Sequence, residues 1–245
     1  MKDPNLLLDL AKEAALKAGS MLKKNFGSEL KATLDEGRDI KLEIDTKSEK
    51  LIIKTLKSGS NLPILSEESG ADDGLKKDYW VVDPLDGSSN FFRGIPIHSV
   101  SVALIISGKP FIGVIYDFIN NKLYHAIKGG GSFCNNEPIR VSGITDSKRG
   151  TIVTGIPAKN SYSDQEFKEL IDIFQNWKKV RMIGSATISN VYVATGKAEL
   201  YKENNIFLWD IVAGAILIEE AGGKAHISDH DKEYRVNAEF SNGKV

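Results

Sequence analysis

Five carboxylates stand at the ends of apolar stretches: Asp45, Glu67, Asp83, Asp86 and Asp210. The densest run is Trp80-Val-Val-Asp83-Pro-Leu-Asp86-Gly-Ser88-Ser-Asn90. Two acids follow a strand that reads as buried. Pro84 is expected to end that strand, Gly87 to free the backbone for a tight turn, and Ser88, Ser89 and Asn90 to cap a helix. The pattern predicts a strand–turn–helix that aims two carboxylates and a helix N-terminus at one spot. Carboxylates are hard oxygen ligands for Mg2+, and helix N-terminal N–H groups receive phosphate. A plain surface turn uses the same residue types, so both readings stay open on turn chemistry alone. Glu67, in Ser66-Glu67-Glu68-Ser69-Gly70, is by itself better explained by a solvated loop. Asp210, in Leu208-Trp209-Asp210, reads as a helix N-cap, and Asp45 as a helix-start residue beside the Thr46…Glu49 capping-box pattern. If the five converge, like charges raise their pKa values and divalent cations remove that penalty. Two metals sharing a carboxylate form the clamp used for in-line displacement at phosphorus.

The elements that must position these acids are legible from periodicity. Leu7, Leu10, Ala14, Ala18, Met21 and Leu22 recur at helical spacing and predict an amphipathic helix over 5–26, stopped at Gly27. Residues 28–44 read as a loop or a hairpin, and a second helix is expected from Thr46 to Gly59. Short buried strands are predicted at 62–65 and 80–82, and longer ones at 99–106, 111–116 and 123–127, with Asn120-Asn121 as a hairpin turn. Gly129-Gly130-Gly131 marks a turn or a close approach. A strand at 151–155 and helices at 164–177, 186–194 and 210–221 complete the pattern. The fold class is α/β (α+β) in layers, because strands and helices interleave but hairpins are frequent. A soft boundary at 142–150 separates two subdomains, 1–145 and 146–245.

The composition excludes several classes. The chain has 245 residues, with 32 Lys plus Arg against 33 Asp plus Glu, a net charge of −1. That balance speaks against nucleic acid as a partner and against a disordered polyanion. The single cysteine, Cys134, can form neither an internal disulfide nor a cysteine metal site, which suggests a reducing compartment. Charged residues interrupt the first 19 positions, so no signal peptide is expected, and no apolar run approaches the roughly 20 residues of a membrane span. A soluble, cytoplasmic protein is the expectation. His98, inside an apolar β run, is expected in the core or an interface. His226 and His230 flank Asp229, where a solvated loop is favoured over a metal site.

The segment Asp83-Pro-Leu-Asp86-Gly-Ser-Ser-Asn90-Phe91 resembles the first signature of the inositol monophosphatase family. Leu208-Trp209-Asp210-Ile-Val-Ala-Gly214, continuing to Glu220-Ala-Gly-Gly223, resembles the second, and Glu67-Glu68-Ser69 the acidic motif between the first two helices and the metal site. Gly130-Gly131-Ser-Phe133-Cys-Asn135 and Gly184-Ser185-Ala186 also fit, so the likeness runs in order over nearly the whole chain. It implies a layered αβαβα sandwich, a homodimer, and Mg2+-dependent hydrolysis of a small phosphorylated polyol or sugar by attack of water, with two or three ions and Mn2+ as a substitute. Carried over, Glu67, Asp83 and the Leu85 carbonyl hold the first ion, and Asp83, Asp86 and Asp210 the second. Asp45 and Ser88, with Glu67, form the catalytic set. The Gly87 and Ser88 backbone binds phosphate. Glu203, Gly184, Ser185 and Ala186 meet the rest of the substrate, and Arg181 either orients a second anionic group or is a plain surface residue. Lys31, Asp35, Asp39 and Lys41 fall where the family has a mobile loop.

Ser88 stands where many inositol monophosphatases have Thr, and the run also resembles fructose-1,6-bisphosphatases. Phe92-Arg93-Gly94-Ile95-Pro96 resembles archaeal members acting on both substrates. The alternatives are a 3′(2′),5′-bisphosphate nucleotidase and a catalytically inactive binding relative. The latter is disfavoured because all five acids are present.

Overall fold

A computed structural model describes residues 3–28, 32–36, 39–156 and 163–245, with only the backbone of 32–36 and 39–42. Helix α1 (Pro4–Asn25) forms as its periodicity predicts. Asp3 caps it, Pro4 opens it, and Leu7, Leu8, Ala11, Ala14, Ala15, Ala18 and Leu22 point inward. Strands β1 (Ala32–Glu36) and β2 (Asp39–Leu42) pair antiparallel, so the hairpin reading holds for that stretch. The expectation of mobility at Lys31 lies outside the described residues.

Helix α2 (Glu43–Gly59) begins ahead of Thr46, which corrects the capping-box reading. Glu49 is buried and works across the fold instead. Its Oε1 accepts the N–H of Glu68 at 3.1 Å and of Ser69 at 3.0 Å, which clamps the acidic turn onto α2.

The larger sheet has eight strands in the order β10 (Glu137–Pro138), β9 (Gly131–Cys134), β8 (Lys122–Ile127), β7 (Lys109–Asp117), β6 (Ser99–Ile106), β5 (Tyr79–Asp86), β3 (Ile64–Ser66) and β4 (Gly70–Ala71). Only the β3–β5 pair is parallel. The smaller sheet runs β12 (Lys179–Met182), β11 (Thr151–Thr154), β13 (Leu200–Phe207), β15 (Arg235–Ser241) and β14 (Lys224–Ile227). Strand β12, which pattern reading did not find, is an edge strand with mostly exposed residues and so shows no apolar alternation.

Helices α1 and α2 cover one face of the larger sheet. Helices α5 (Ala186–Ala194) and α6 (Leu208–Glu220) lie between the two sheets, and α4 (Asp164–Gln175) faces β11 and β13 across a pocket that all three line. The layers are therefore αβαβα, as expected. A sheet covered on both faces needs apolar residues on both, and every residue of β5 is buried. Side-chain alternation sorts them. Trp80, Val82, Val100, Val102 and Leu104 pack toward α1 and α2, whereas Tyr79, Val81, Ala103 and Ile105 pack toward α6.

Helix α6 runs close to its neighbours. A methyl group on Gly214 would lie 2.4 Å from the Asn190 side chain of α5, so only glycine allows that approach. Near the other end, the Glu220 carboxylate accepts the N–H groups of Gly129 and Gly131, both at 2.9 Å, and fixes the triple-glycine turn. His98 lies in the core, ringed by Phe26, Phe91 and Phe118, and burial lowers its pKa to about 4. No helix among the described residues is long and apolar enough to cross a membrane.

Candidate active site

By strict alternation, Asp83 shares the α6-facing side of β5 with Tyr79 and Val81, and Asp86 would face the other way. The ladder to β6 breaks between them: Asp83 pairs with Ser101, but Asp86 pairs with Ser99. Three steps on β5 thus match two on β6, a bulge of one extra residue. A one-residue slip reverses the facing of everything beyond it. Leu85 consequently joins the α1/α2 core, and Asp86 turns to the same side as Asp83. Pro84 sits inside this bulge and does not end the strand, which corrects the expectation. A residue without an N–H is tolerated there, and its carbonyl accepts the Ser48 hydroxyl of α2 at 2.8 Å.

Asp210 arrives from the opposite layer. It is the third residue of α6, after Leu208 and Trp209, and Phe207 occupies the cap position without a side-chain hydrogen bond. The N-cap reading is thus replaced by a first-turn carboxylate, a position the helix dipole favours for an anion. Single oxygens of Asp83, Asp86 and Asp210 lie within 4.8 Å of one another. Among the described residues this is the only group of three or more acids, histidines or cysteines so gathered. His226 and His230 are both exposed; His230 lies in a loop, but His226 is on the edge strand β14 opposite Glu239, which corrects the loop reading for that residue.

Glu67 follows β3, the parallel neighbour of β5, and its N–H reaches the Val82 carbonyl at 3.2 Å. Its carboxyl lies close enough to that of Asp83 to raise the Asp83 pKa. Asp45 is buried in the first turn of α2, one turn before Ser48 on the face tied to the bulge.

The electrostatics are those of several carboxylates buried side by side. Burial, then Glu67, Asp86 and Asp210, hold the Asp83 carboxyl well above the usual carboxylate range. Burial, then Asp86, Glu67 and Glu203, do the same to Asp210. Asp83 Oδ1 accepts the Leu85 N–H at 3.0 Å, while the buried Oδ2 has no hydrogen-bond partner. Burial raises Asp86 as well, but four donors oppose it: the hydroxyls of Ser185 and Thr187 and the N–H groups of Ala186 and Thr187. Ser185 caps α5, so Asp86 sits on that helix's N-terminus. An orphaned carboxylate oxygen and a cluster of hard oxygen donors suit a divalent cation of the Mg2+ type.

The acids open into a cavity of about 770 Å³. Glu67, Asp86, Asp210, Glu203 and Gly184 through Ala186 line it. Glu203 is buried, accepts the Tyr201 hydroxyl at 2.9 Å, and has its pKa raised to about 7, chiefly by burial. Ser88 donates its hydroxyl to the Leu85 carbonyl at 2.8 Å, so two expected site groups meet each other. Gly87, at φ +83°, begins helix α3 (Ser88–Phe92) as its cap. A methyl group there would approach the Ile97 carbonyl to 2.9 Å. Asn90 Nδ2 donates to the carbonyls of Ile97 and Ile183, both at 2.8 Å, and of Gly184 at 3.2 Å, joining the two walls. Asn90→Ala should lower stability by about 2 kcal/mol, a fall of roughly 4–8 °C in a thermal melt, because three part-buried carbonyls lose their donor.

Arg181 does not line the cavity. It is exposed on β12, with Nη1 donating to the Val180 carbonyl at 2.9 Å. Among the described residues the cation lining the cavity is instead Arg235, which the sequence did not single out. Nothing local marks it, since its position depends on the pairing of β13 with β15. Thr187 was also missed, although its place two residues after the Ser185 cap is the available signal.

A sequence model described as the inositol monophosphatase family matches residues 3–238. The chain is 38% identical over 224 residues to the protein named Nus factor SuhB of Pasteurella multocida, covering 89% of this chain and 84% of that one. An inositol monophosphatase from Anabaena (Nostoc) sp. PCC 7120 superposes with a TM-score of 0.84 at 32% identity, over 97% of this chain and 90% of that one. The MJ0109 gene product, titled inositol monophosphatase-fructose 1,6 bisphosphatase, does so with a TM-score of 0.77 at 26% identity, over 96% and 94%. With its acidic trio assembled from a strand and a helix of adjacent layers and these likenesses spanning nearly its full length, the chain belongs to the inositol monophosphatase family.

Proposed function

We propose that this protein is a Mg2+-dependent phosphomonoesterase acting on inositol 1-phosphate, fructose 1,6-bisphosphate or both. The observation that carries the reading is the convergence of single oxygens of Asp83, Asp86 and Asp210 within 4.8 Å of one another, with Asp86 and Asp210 lining the cavity. Glu67, Asp83 and the Leu85 carbonyl would hold one ion, and Asp83, Asp86 and Asp210 a second. When bound, the ions supply positive charge to the phosphoryl oxygens and make water more acidic.

The chain's own groups do the rest. Residues 1–145 supply the acids of β3, β5 and α2, and residues 146–245 supply Asp210 and the substrate walls. Asp45 and Ser88 orient the attacking water and accept its proton. The Gly87 and Ser88 backbone N–H groups receive the phosphate. Asp86 is fixed in position by four donors, which oppose the rise that burial imposes on its pKa. Glu203, whose raised pKa leaves it partly protonated near neutral pH, serves as donor or acceptor to substrate hydroxyls.

A phosphate-release panel tests the reading, using inositol 1-phosphate, fructose 1,6-bisphosphate and adenosine 3′,5′-bisphosphate with Mg2+ or with EDTA. Release from the first two in Mg2+ and none in EDTA is expected. Turnover that survives EDTA ends the metal-dependent mechanism, and a strong preference for the nucleotide moves the assignment to a bisphosphate nucleotidase. The name Nus factor SuhB, carried by a relative at 38% identity, favours a second role in binding. An Asp83→Asn chain separates the two, because a binding role survives the loss of catalysis.

A further inference from the structure

We infer that Arg235 selects substrates bearing a second anionic group, a phosphate remote from the one that is cleaved. The inference rests on the phosphomonoesterase reading above and adds a specificity residue to it. Arg235 is the only Lys, Arg or His among the described residues lining the cavity that also holds Glu67, Asp86 and Asp210. Its side chain is 11% exposed, far too enclosed for a surface arginine.

The guanidinium is held from several sides. It lies 4.0 Å above the Phe207 ring, and Phe207 stacks in turn on Trp209, with centroids 4.5 Å apart and planes 13° apart. Trp209 adjoins Asp210, so one stack links the cation to the acidic floor. Nη1 donates to the Asn205 carbonyl at 2.9 Å. That carbonyl is presented by a break in the β13 ladder between Glu203 and Ile206, where Asn205 has φ +58°. Nε reaches the exposed carboxylate of Glu233 at 3.4 Å, and Asp231 lies close enough to interact.

These contacts engage one N–H of Nη1 and the N–H of Nε. A guanidinium has five N–H donors in a planar fork, so a pair of donors is left for a bidentate anion. Stacking removes the entropy cost of ordering that fork. Charge follows the same division. The metal end of the cavity needs cations and one phosphate, whereas the Arg235 wall offers a fixed positive charge to another anion. Inositol 1-phosphate carries no such group, and fructose 1,6-bisphosphate does.

The test compares fructose 1,6-bisphosphate with fructose 1-phosphate, which differs only in lacking the remote phosphate. Steady-state kinetics in Mg2+ are measured for the wild type, Arg235→Gln and Arg235→Lys. Arg235→Gln should lower the ratio of kcat/KM for bisphosphate over monophosphate by about 10- to 100-fold, through KM, since a charge-assisted pair of hydrogen bonds is lost. Arg235→Lys should recover part of that ratio, because it restores the charge without the fork. Inhibition by fructose 6-phosphate, which keeps only the remote phosphate, should weaken in parallel. An equal change for both substrates in both variants assigns Arg235 to holding Phe207 in place and overturns the inference. Wild-type release from inositol 1-phosphate but from neither fructose substrate also overturns the inference, whereas no release from any of the three overturns the phosphomonoesterase reading itself.

Discussion

Replacing Asp83 with Asn should cut phosphate release by on the order of 10³-fold or more while raising the melting temperature of the metal-free protein. The two effects have one origin. Asp83 is the carboxylate that both expected ions share, so its loss weakens both positions. In the free protein the same group is a liability: it is buried, faces Glu67, Asp86 and Asp210, and leaves Oδ2 without a partner. An asparagine keeps the Oδ1 that accepts the Leu85 N–H, and turns Oδ2 into a donor for the neighbouring carboxylates. Relief of one buried like-charge contact is worth about 1–3 kcal/mol, or very roughly 2–10 °C for a chain of this size. Melts in EDTA and phosphate release in Mg2+ decide the matter. A variant that melts below the wild type in EDTA, or that turns over normally, contradicts this account of the site.

The second large effect is on pH dependence. The folded pKa values of Asp83, Asp86, Asp210 and Glu203 are raised, that of Glu203 to about 7. A raised carboxyl holds protons in the folded state that the unfolded chain releases above about pH 4. Its contribution is therefore fully present below the unfolded value and lost as pH rises through the folded one. His98 works in the opposite sense. Its lowered pKa of about 4 gives stability that is lost as pH falls below the unfolded value near 6.5.

The window thus lies above about pH 6.5, where most of the contribution of His98, and of His125, whose pKa burial also lowers, is already in place. In EDTA the melting temperature should fall between pH 6.5 and 8.5. Saturating Mg2+ should flatten that slope, because binding replaces the protons. The gain from Mg2+ should be larger at pH 8.5, about 2.7 kcal/mol at a hundredfold excess over Kd. A metal-free profile that rises across this window, or equal gains at both pH values, would remove the acidic cluster as the cause.

Much of this was legible in the chain before any coordinates. The period of Leu7, Ala14, Ala18 and Leu22 specified α1, and the apolar runs specified β6 and β7, because such patterns have one way to be buried. The five acids stood out because each interrupts or ends an apolar element. Short-range signals were less dependable. The Thr46…Glu49 pattern was read as a cap, yet Glu49 serves the Glu67–Ser69 turn. Asp210 was read as a cap, yet it lies inside α6.

By itself, then, the sequence determined the layers, the family resemblance and the identity of the acids. Only the tertiary structure decided where they point. Residue types within a strand set facing by alternation, and alternation alone sends Asp83 and Asp86 to opposite sides of the sheet. One extra residue in β5 reverses that parity, and its existence depends on hydrogen bonds to β6 that no local pattern records. The exchange of Arg181 for Arg235 as the cation lining the cavity among the described residues has the same cause: a register between distant strands, set by the packing of two sheets around α6, chooses which side chain reaches the cavity.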